Sequence, residues 1–250
     1  PIELNLYLSL LFLLLAAAFT MRFLYIAVLL LIHVISAAAL NVVIAGGTGP
    51  VGQLVAAKLN QHKVTILTRN AFLAATPSRV TKDHGWVGAA FLEKYRHVQL
   101  RDWDGGDLLD IVGNNWLGWQ DTLVVADEDA DATVIVHLTG GGFTEQRVMA
   151  CERLVRESII FNPAATHITV NPSDAMLECL SLGVHQSIKQ SHIRACQDIV
   201  SKNCANFVHL RINDRRTEAV HLRISDRRAE AVCDAVVAAV AECGTAVTLH

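Results

Sequence analysis

From Asn41 onward, short runs of consecutive apolar residues alternate with longer stretches in which apolar residues recur every three or four positions. The first run, Val42-Val43-Ile44, enters a glycine-rich turn, and Val51, Leu54, Val55 and Leu59 then follow at helical spacing. A second run, Val64 to Leu67, stops at Thr68-Arg69. A turn at Thr76-Pro77-Ser78 and a helix over Val87 to Tyr95 precede a short third strand, His97 to Leu100. Thr122 to Ala126 predicts an extra strand. Ala132 to Leu138 is uninterrupted, as expected of a parallel strand covered on both faces, and ends at Thr139-Gly140. A helix follows from Thr144 to about Ile160, with Val148, Cys151, Leu154, Val155 and Ile159 on one face, and Pro163 stops it.

A fifth strand, His167 to Val170, a long helix over Val184 to Lys202 and a sixth strand, Phe207 to Ile212, complete the alternation. Next comes a near-repeat: His209 to Val220 and His221 to Val232 agree at ten of twelve positions. The first copy reads as a strand and its exit. In the second, Ser225-Asp226 is expected to cap a helix that Gly244 ends near Cys243, before a last strand over Ala246 to Leu249. Strands alternating with helices over residues 41–250 predict one α/β domain built on a doubly wound parallel sheet, the Rossmann arrangement.

Residues 1–40 differ in kind, carrying only Glu3 and Arg22 as charges, and they raise the mean hydropathy to +0.35. Arg22, the apolar run Phe23 to Ile35 and the small residues Ser36 to Ala39 match the three parts of a secretory signal peptide starting at Met21. On that reading residues 1–20 are upstream sequence translated in frame, and the route leads into the secretory pathway or an organelle reached through it, such as a plastid. The alternative is a membrane anchor that brings the domain into contact with a bilayer.

Net charge is −3 and the pI about 6.4, so the chain lacks the electrostatic footprint of a nucleic-acid-binding protein. Its six cysteines form no C-x-x-C pair, and Cys151, Cys196 and Cys233 fall in helical patterns. Free, buried thiols are expected, with no metal site.

The chemistry concentrates in the turn Gly46-Gly47-Thr48-Gly49-Pro50-Val51-Gly52, spaced G-x-x-G-x-x-G. A strand before it, a helix after it and a second strand beyond make it a dinucleotide-binding unit, in which the backbone approaches a pyrophosphate at a helix N-terminus. An Asp or Glu at the end of the second strand would select the free ribose of NAD. Arg69 stands there, beside Asn70, and a guanidinium there suits the 2′-phosphate of NADP.

On the Gly46 to Gly52 turn, the Thr68-Arg69 strand end, Asp102, Thr139-Gly140 and the unit Ser191 to Ile212, residues 41–250 resemble the atypical short-chain dehydrogenase/reductases. The likeness is to the NmrA-like NAD(P)H-binding group that includes the biliverdin-IX-beta/flavin reductases. It implies NADP(H) as cofactor, Asp102 on the adenine side, and Thr139 and Gly140 near the nicotinamide ribose. It also implies hydride transfer to a planar acceptor: a flavin, quinone or tetrapyrrole. In the wider superfamily a serine after the fifth strand and a Tyr-x-x-x-Lys pair carry the chemistry. Here Ser173 takes the serine place, and His185-Gln186-Ser187-Ile188-Lys189 puts histidine in the tyrosine place. His192 lies where the flavin and biliverdin reductases carry a histidine beside the substrate. The missing tyrosine, and the few residues left after the sixth strand to cover a substrate, equally suit a non-catalytic NADP(H)-binding subunit or redox sensor of a membrane-associated complex.

Overall fold

A strand covered on both faces needs apolar side chains in both directions, and Asn41–Ala45 (β1) is buried at every position. The computed structural model describes residues 39–81, 85–103, 105, 118–124, 132–138, 145–171, 186–211 and 224–247. The expectations for residues 1–38, Thr139, Gly140, Ser173 and His185 lie outside these residues. After β1 come Pro50–Lys58 (α1), Lys63–Thr68 (β2), Ala71–Ala75 (α2), Ala89–Lys94 (α3) and Val98–Asp102 (β3). A 3-10 turn at Trp119–Leu123 precedes Thr133–His137 (β4), Glu145–Phe161 (α4) and Thr166–Asn171 (β5). Gln186–Asn203 (α5), Asn206–Arg211 (β6) and Ile224–Val247 (α6) complete the described elements.

The six strands form one sheet in the order β3-β2-β1-β4-β5-β6. Every pairing is parallel. This is the doubly wound Rossmann order, in which the chain leaves β1 toward one edge and returns through β4 to start toward the other. In sheets of this order the ligand crevice lies outside the carboxyl ends of the strands at the reversal point, here β1 and β4 beside the glycine turn.

Alternation along the strands sorts the core into two layers. Val42, Ile44, Val134, Val136, Ile168 and Val170 face α1 and α6, where Val55, Cys233, Val236 and Val240 are buried. Val43, Ala45 and Ile135 face Leu154 of α4 and the edge-to-face pair Trp103 and Trp119, whose ring centroids lie 5.7 Å apart. Among the described residues no helix is long and apolar enough to cross a membrane.

Several boundaries differ from the sequence reading. The extra strand expected over Thr122 to Ala126 is, as far as it is described, the 3-10 turn instead. Buried Trp119 and Leu123 pull the backbone into a tight turn, and Thr122 Oγ1 donates to Trp119 O at 2.6 Å. Nor does Gly244 end the last helix: α6 runs on to Val247, through the start of the strand expected over Ala246 to Leu249. A glycine inside a helix costs only about 1 kcal/mol, less than continued packing and backbone bonding return. Ser225 and Asp226 consequently sit in the first turn of α6 and are not its cap. Finally, Arg101 and Asp102 belong to β3 and are not its exit turn.

Candidate functional site

The glycine turn joins β1 to α1 at the reversal point. Gly46 has φ 81°, in the left-handed region that a side chain disfavours. Gly52, in the first turn of α1, lies so close to the turn that a Cβ there would be 2.3 Å from Gly47 Cα. Gly47 is confined less severely, by side chains: its Cβ would meet Ile66 at 2.9 Å. By contrast, a Cβ on Gly49 would have nothing within 4 Å, so the turn is open on that side. Gly49 is the N-cap of α1 and supplies no side-chain cap, while Pro50 occupies the first turn. The N–H groups of Val51 and Gly52 consequently head the helix with no side-chain acceptor from the cap residue. Positive dipole and unsatisfied donors there fit an anion.

A second segment braces the turn from outside. Gln53 Nε2 donates to Thr48 O at 2.9 Å and to Trp86 O at 3.0 Å. Trp86 Nε1 donates to Thr76 O at 2.8 Å, and Gly85 sits against Thr48, where a Cβ would be 2.2 Å from Oγ1. Sequence reading did not single out Gln53, Gly85 or Trp86, because the bridge joins residues 33 apart along the chain. The Thr48 hydroxyl is thus turned toward Gly85, while its carbonyl holds Gln53.

Arg69 follows β2 and is exposed. Its guanidinium lies near Gly105, whose Cβ would be 3.3 Å from Nε. Asn70 is spent on local structure: its side chain caps α2 by accepting from Leu73 N at 2.8 Å. Asp102 does the same from β3, with Oδ1 accepting from Ala71 N at 2.5 Å. Both anchor the start of α2, two residues after Arg69. Asp102→Ala removes one of these acceptors and should cost about 1 kcal/mol, or roughly 2 to 4 °C in the unfolding midpoint. Thermal unfolding of the variant checks this; an unchanged midpoint contradicts the anchoring role.

Across the crevice, β4 carries a group the sequence reading missed. His137 pairs in register with Ala45, the residue before the glycine turn. His137 Nε2 and His167 Nδ1 lie 2.9 Å apart, and His167 Nε2 lies 2.9 Å from Ser158 Oγ on α4. The Ser158 hydroxyl donates to Val155 O at 2.9 Å. Its one proton is thereby used, so His167 Nε2–H must donate to it and His137 Nε2–H to His167. His137 Nδ1 is left as a bare acceptor, buried and without a partner among the described residues.

Burial, then the neighbouring His167 and Arg147, holds His137 well below the usual histidine range, and burial alone brings His167 down to about 4. A similar relay lies one strand over, where His209 bridges Thr169 Oγ1 at 2.6 Å and Ser201 Oγ at 2.8 Å. The available signal was a histidine interrupting or opening each of three otherwise apolar strand runs.

Of the expected catalytic set, His192 is half-buried on α5 and Lys189 falls near the start of that helix. Ser173 and His185 lie outside the described residues. Among the described residues no group of three or more His, Cys, Asp and Glu could hold a metal ion. Of the described cysteines, all free, Cys151, Cys196 and Cys233 are buried and Cys204 and Cys243 are partly exposed.

No family model matches the chain, and no curated protein does. Solved structures do align with it, at low identity. A metagenomic short-chain oxidoreductase in complex with NADP aligns over 82% of this chain and 92% of its own, at 13% identity and a TM-score of 0.49. The Bordetella bronchiseptica enzyme WbmF, in complex with NAD+ and UDP, covers 71% of this chain and 50% of its own at 14% identity, with a TM-score of 0.41. An oxidoreductase from Lactococcus lactis covers 68% and 67% at 12% identity, with a TM-score of 0.41. In sum, this chain is similar in outline to short-chain oxidoreductases and folds as a doubly wound, Rossmann-like sheet.

Proposed function

We propose that this protein binds NADP(H) in the crevice between β1 and β4 and acts as a reductase of the atypical short-chain type. The observation that carries the reading is the glycine turn, open at Gly49 and tight at Gly47 and Gly52, with uncapped N–H groups heading α1. Gly46, Gly49, Pro50, Val51 and Gly52 would hold the pyrophosphate. Arg69 would take the 2′-phosphate, placed by the anchoring of α2 through Asn70 and Asp102. The bound nicotinamide would supply the hydride, and the residues of the chain would bind and orient it. A planar acceptor such as a flavin, quinone or tetrapyrrole, with Ser173, His185, Lys189 and His192 near it, is the substrate reading that follows.

Thermal unfolding with NADPH and NADH tests the cofactor. NADPH at about 100 times its Kd should add roughly 2.7 kcal/mol, or about 5 to 11 °C. Arg69→Ala should weaken NADPH by on the order of ten- to a hundredfold, the worth of one charge-assisted contact, and leave NADH unchanged. No rise with either nucleotide would remove the proposal. The second reading, a non-catalytic NADP(H)-binding subunit, is favoured by His185 in the tyrosine place. It predicts the same midpoint rise without NADPH-dependent reduction of any flavin or quinone.

A further inference from the structure

Helices α4 and α5 meet along a buried seam of Cys151, Val155, Cys196 and Val200. Its two thiols are interlocked. Cys151 Sγ lies 3.7 Å from Cys196 O, and Cys196 Sγ lies 3.8 Å from Arg147 O, one turn before Cys151. Each sulfur therefore rests on the backbone of the opposite helix, and the two share one buried seam. The third participant is Arg147, itself buried, which donates to Val170 O at 3.2 Å and also lies against Cys196. Its positive charge favours the thiolate of a neighbouring cysteine.

We propose that Cys151 and Cys196 form an oxidation site, at which a hydroperoxide converts the two thiols into a disulfide that joins α4 to α5. Cys196 is the attacking sulfur. The hydrogen bond from Cys151, helped by the Arg147 charge, holds its thiol below the ordinary range, against the opposing effect of burial. The same bond and burial push Cys151 up, so it waits as the protonated partner. In the first step the Cys196 thiolate attacks the terminal peroxide oxygen; an S–O bond forms, the O–O bond breaks, and the leaving oxygen takes a proton to become an alcohol or water. In the second step Cys151 attacks the resulting sulfenic acid. The S–S bond forms, the S–O bond breaks, and water leaves with the Cys151 proton. Two thiols are oxidised by two electrons and one peroxide is reduced.

The link would act on the candidate site. Cys196 lies one turn beyond His192 on α5, hence on the same side of that helix, and Lys189 lies a turn before it. Oxidation fixes to α4 the helix that presents both residues. Cys204 supplies an internal control, since it packs against the same seam but burial pushes its thiol up to about 11.

The test treats the full chain with hydrogen peroxide under native conditions, alkylates remaining thiols and maps peptides by mass spectrometry. The expected result is a Cys151–Cys196 peptide pair lighter by two hydrogens, a raised unfolding midpoint, and reversal of both by dithiothreitol. Cys204→Ser should leave the pair intact, and Cys196→Ala should leave Cys151 alkylatable after peroxide. The unsubstituted chain decides by itself if the alanine variant does not fold. Recovery of both cysteines as alkylated thiols after peroxide, or a link that runs through Cys204, overturns the proposal. Neither outcome depends on nucleotide binding, so the cofactor reading stands or falls separately.

Discussion

Gly52→Ala is expected to lower the unfolding midpoint by roughly 4 to 8 °C and to abolish NADPH binding at concentrations that saturate the unsubstituted chain. On propensity alone the change should stabilise, since alanine in a helix is worth about 1 kcal/mol over glycine. Sterics decide otherwise. The new methyl would stand 2.3 Å from Gly47 Cα and 2.6 Å from its carbonyl carbon and oxygen. Carbon atoms in contact sit at about 3.5 to 4.0 Å, and these neighbours are backbone, which cannot swing away. Relief requires α1 to lift off the turn, an overpacking cost of about 3 kcal/mol that leaves a net loss near 2 kcal/mol. It also moves the N–H groups of Val51 and Gly52 away from the position suited to a pyrophosphate.

Gly49→Ala separates the two effects. That position has free space for a Cβ and an ordinary negative φ of −78°, so the midpoint should hold while NADPH binding weakens. Unfolding and titration of the two variants side by side make the comparison. A Gly52→Ala chain that melts and binds normally would falsify the close approach of turn and helix.

Acid is expected to unfold this protein well above the carboxylate range. His167 titrates near 4 in the folded chain because burial disfavours its charged form, against about 6.5 when unfolded. The unfolded state therefore takes up a proton that the folded state refuses as pH drops below about 6.5. Stability from this group is present in full above that value and is lost progressively toward pH 4. Between about pH 7.5 and pH 5, His167 alone should remove about 2 kcal/mol. His137 acts in the same direction, since burial, His167 and Arg147 all oppose its protonation, and His209 is also lowered, by burial.

Urea unfolding across this pH range gives the slope, and His167→Gln should flatten it. A stability independent of pH from 7.5 to 5 is incompatible with a neutral, buried histidine pair. The same geometry places His137 beside the candidate site. Its bare Nδ1 lies one strand from the glycine turn, at the end of the sheet where a doubly wound fold receives ligands.

The doubly wound sheet was legible because its signals are local. Runs such as Val42 to Ile44 and Thr133 to Val136 have nowhere to go but between two layers of helices, and the glycine turn sits between the first of them and a helical period. Arg69 could be placed from sequence as well, since a strand end needs only the strand to be found. Boundaries depending on competition between local and distant terms went less well. Thr122 to Ala126 reads as a strand, and its first residues fall in the 3-10 turn Trp119–Leu123 because the Trp119 indole is buried against Trp103. The bond by which Asp102 accepts from Ala71 N, 31 residues away, has no local signal either.

The sequence by itself determined the layer architecture, the strand order's starting unit and the glycine turn, because each follows from periodicity or from backbone sterics within about ten residues. Only the tertiary structure decided which glycines touch backbone and which stands open, since those distances are set by how α1 meets the turn. Only it, too, brought His137 to His167 and Cys151 to Cys196. Those pairs lie 30 and 45 residues apart, and their chemistry comes from the shared burial that folding alone creates.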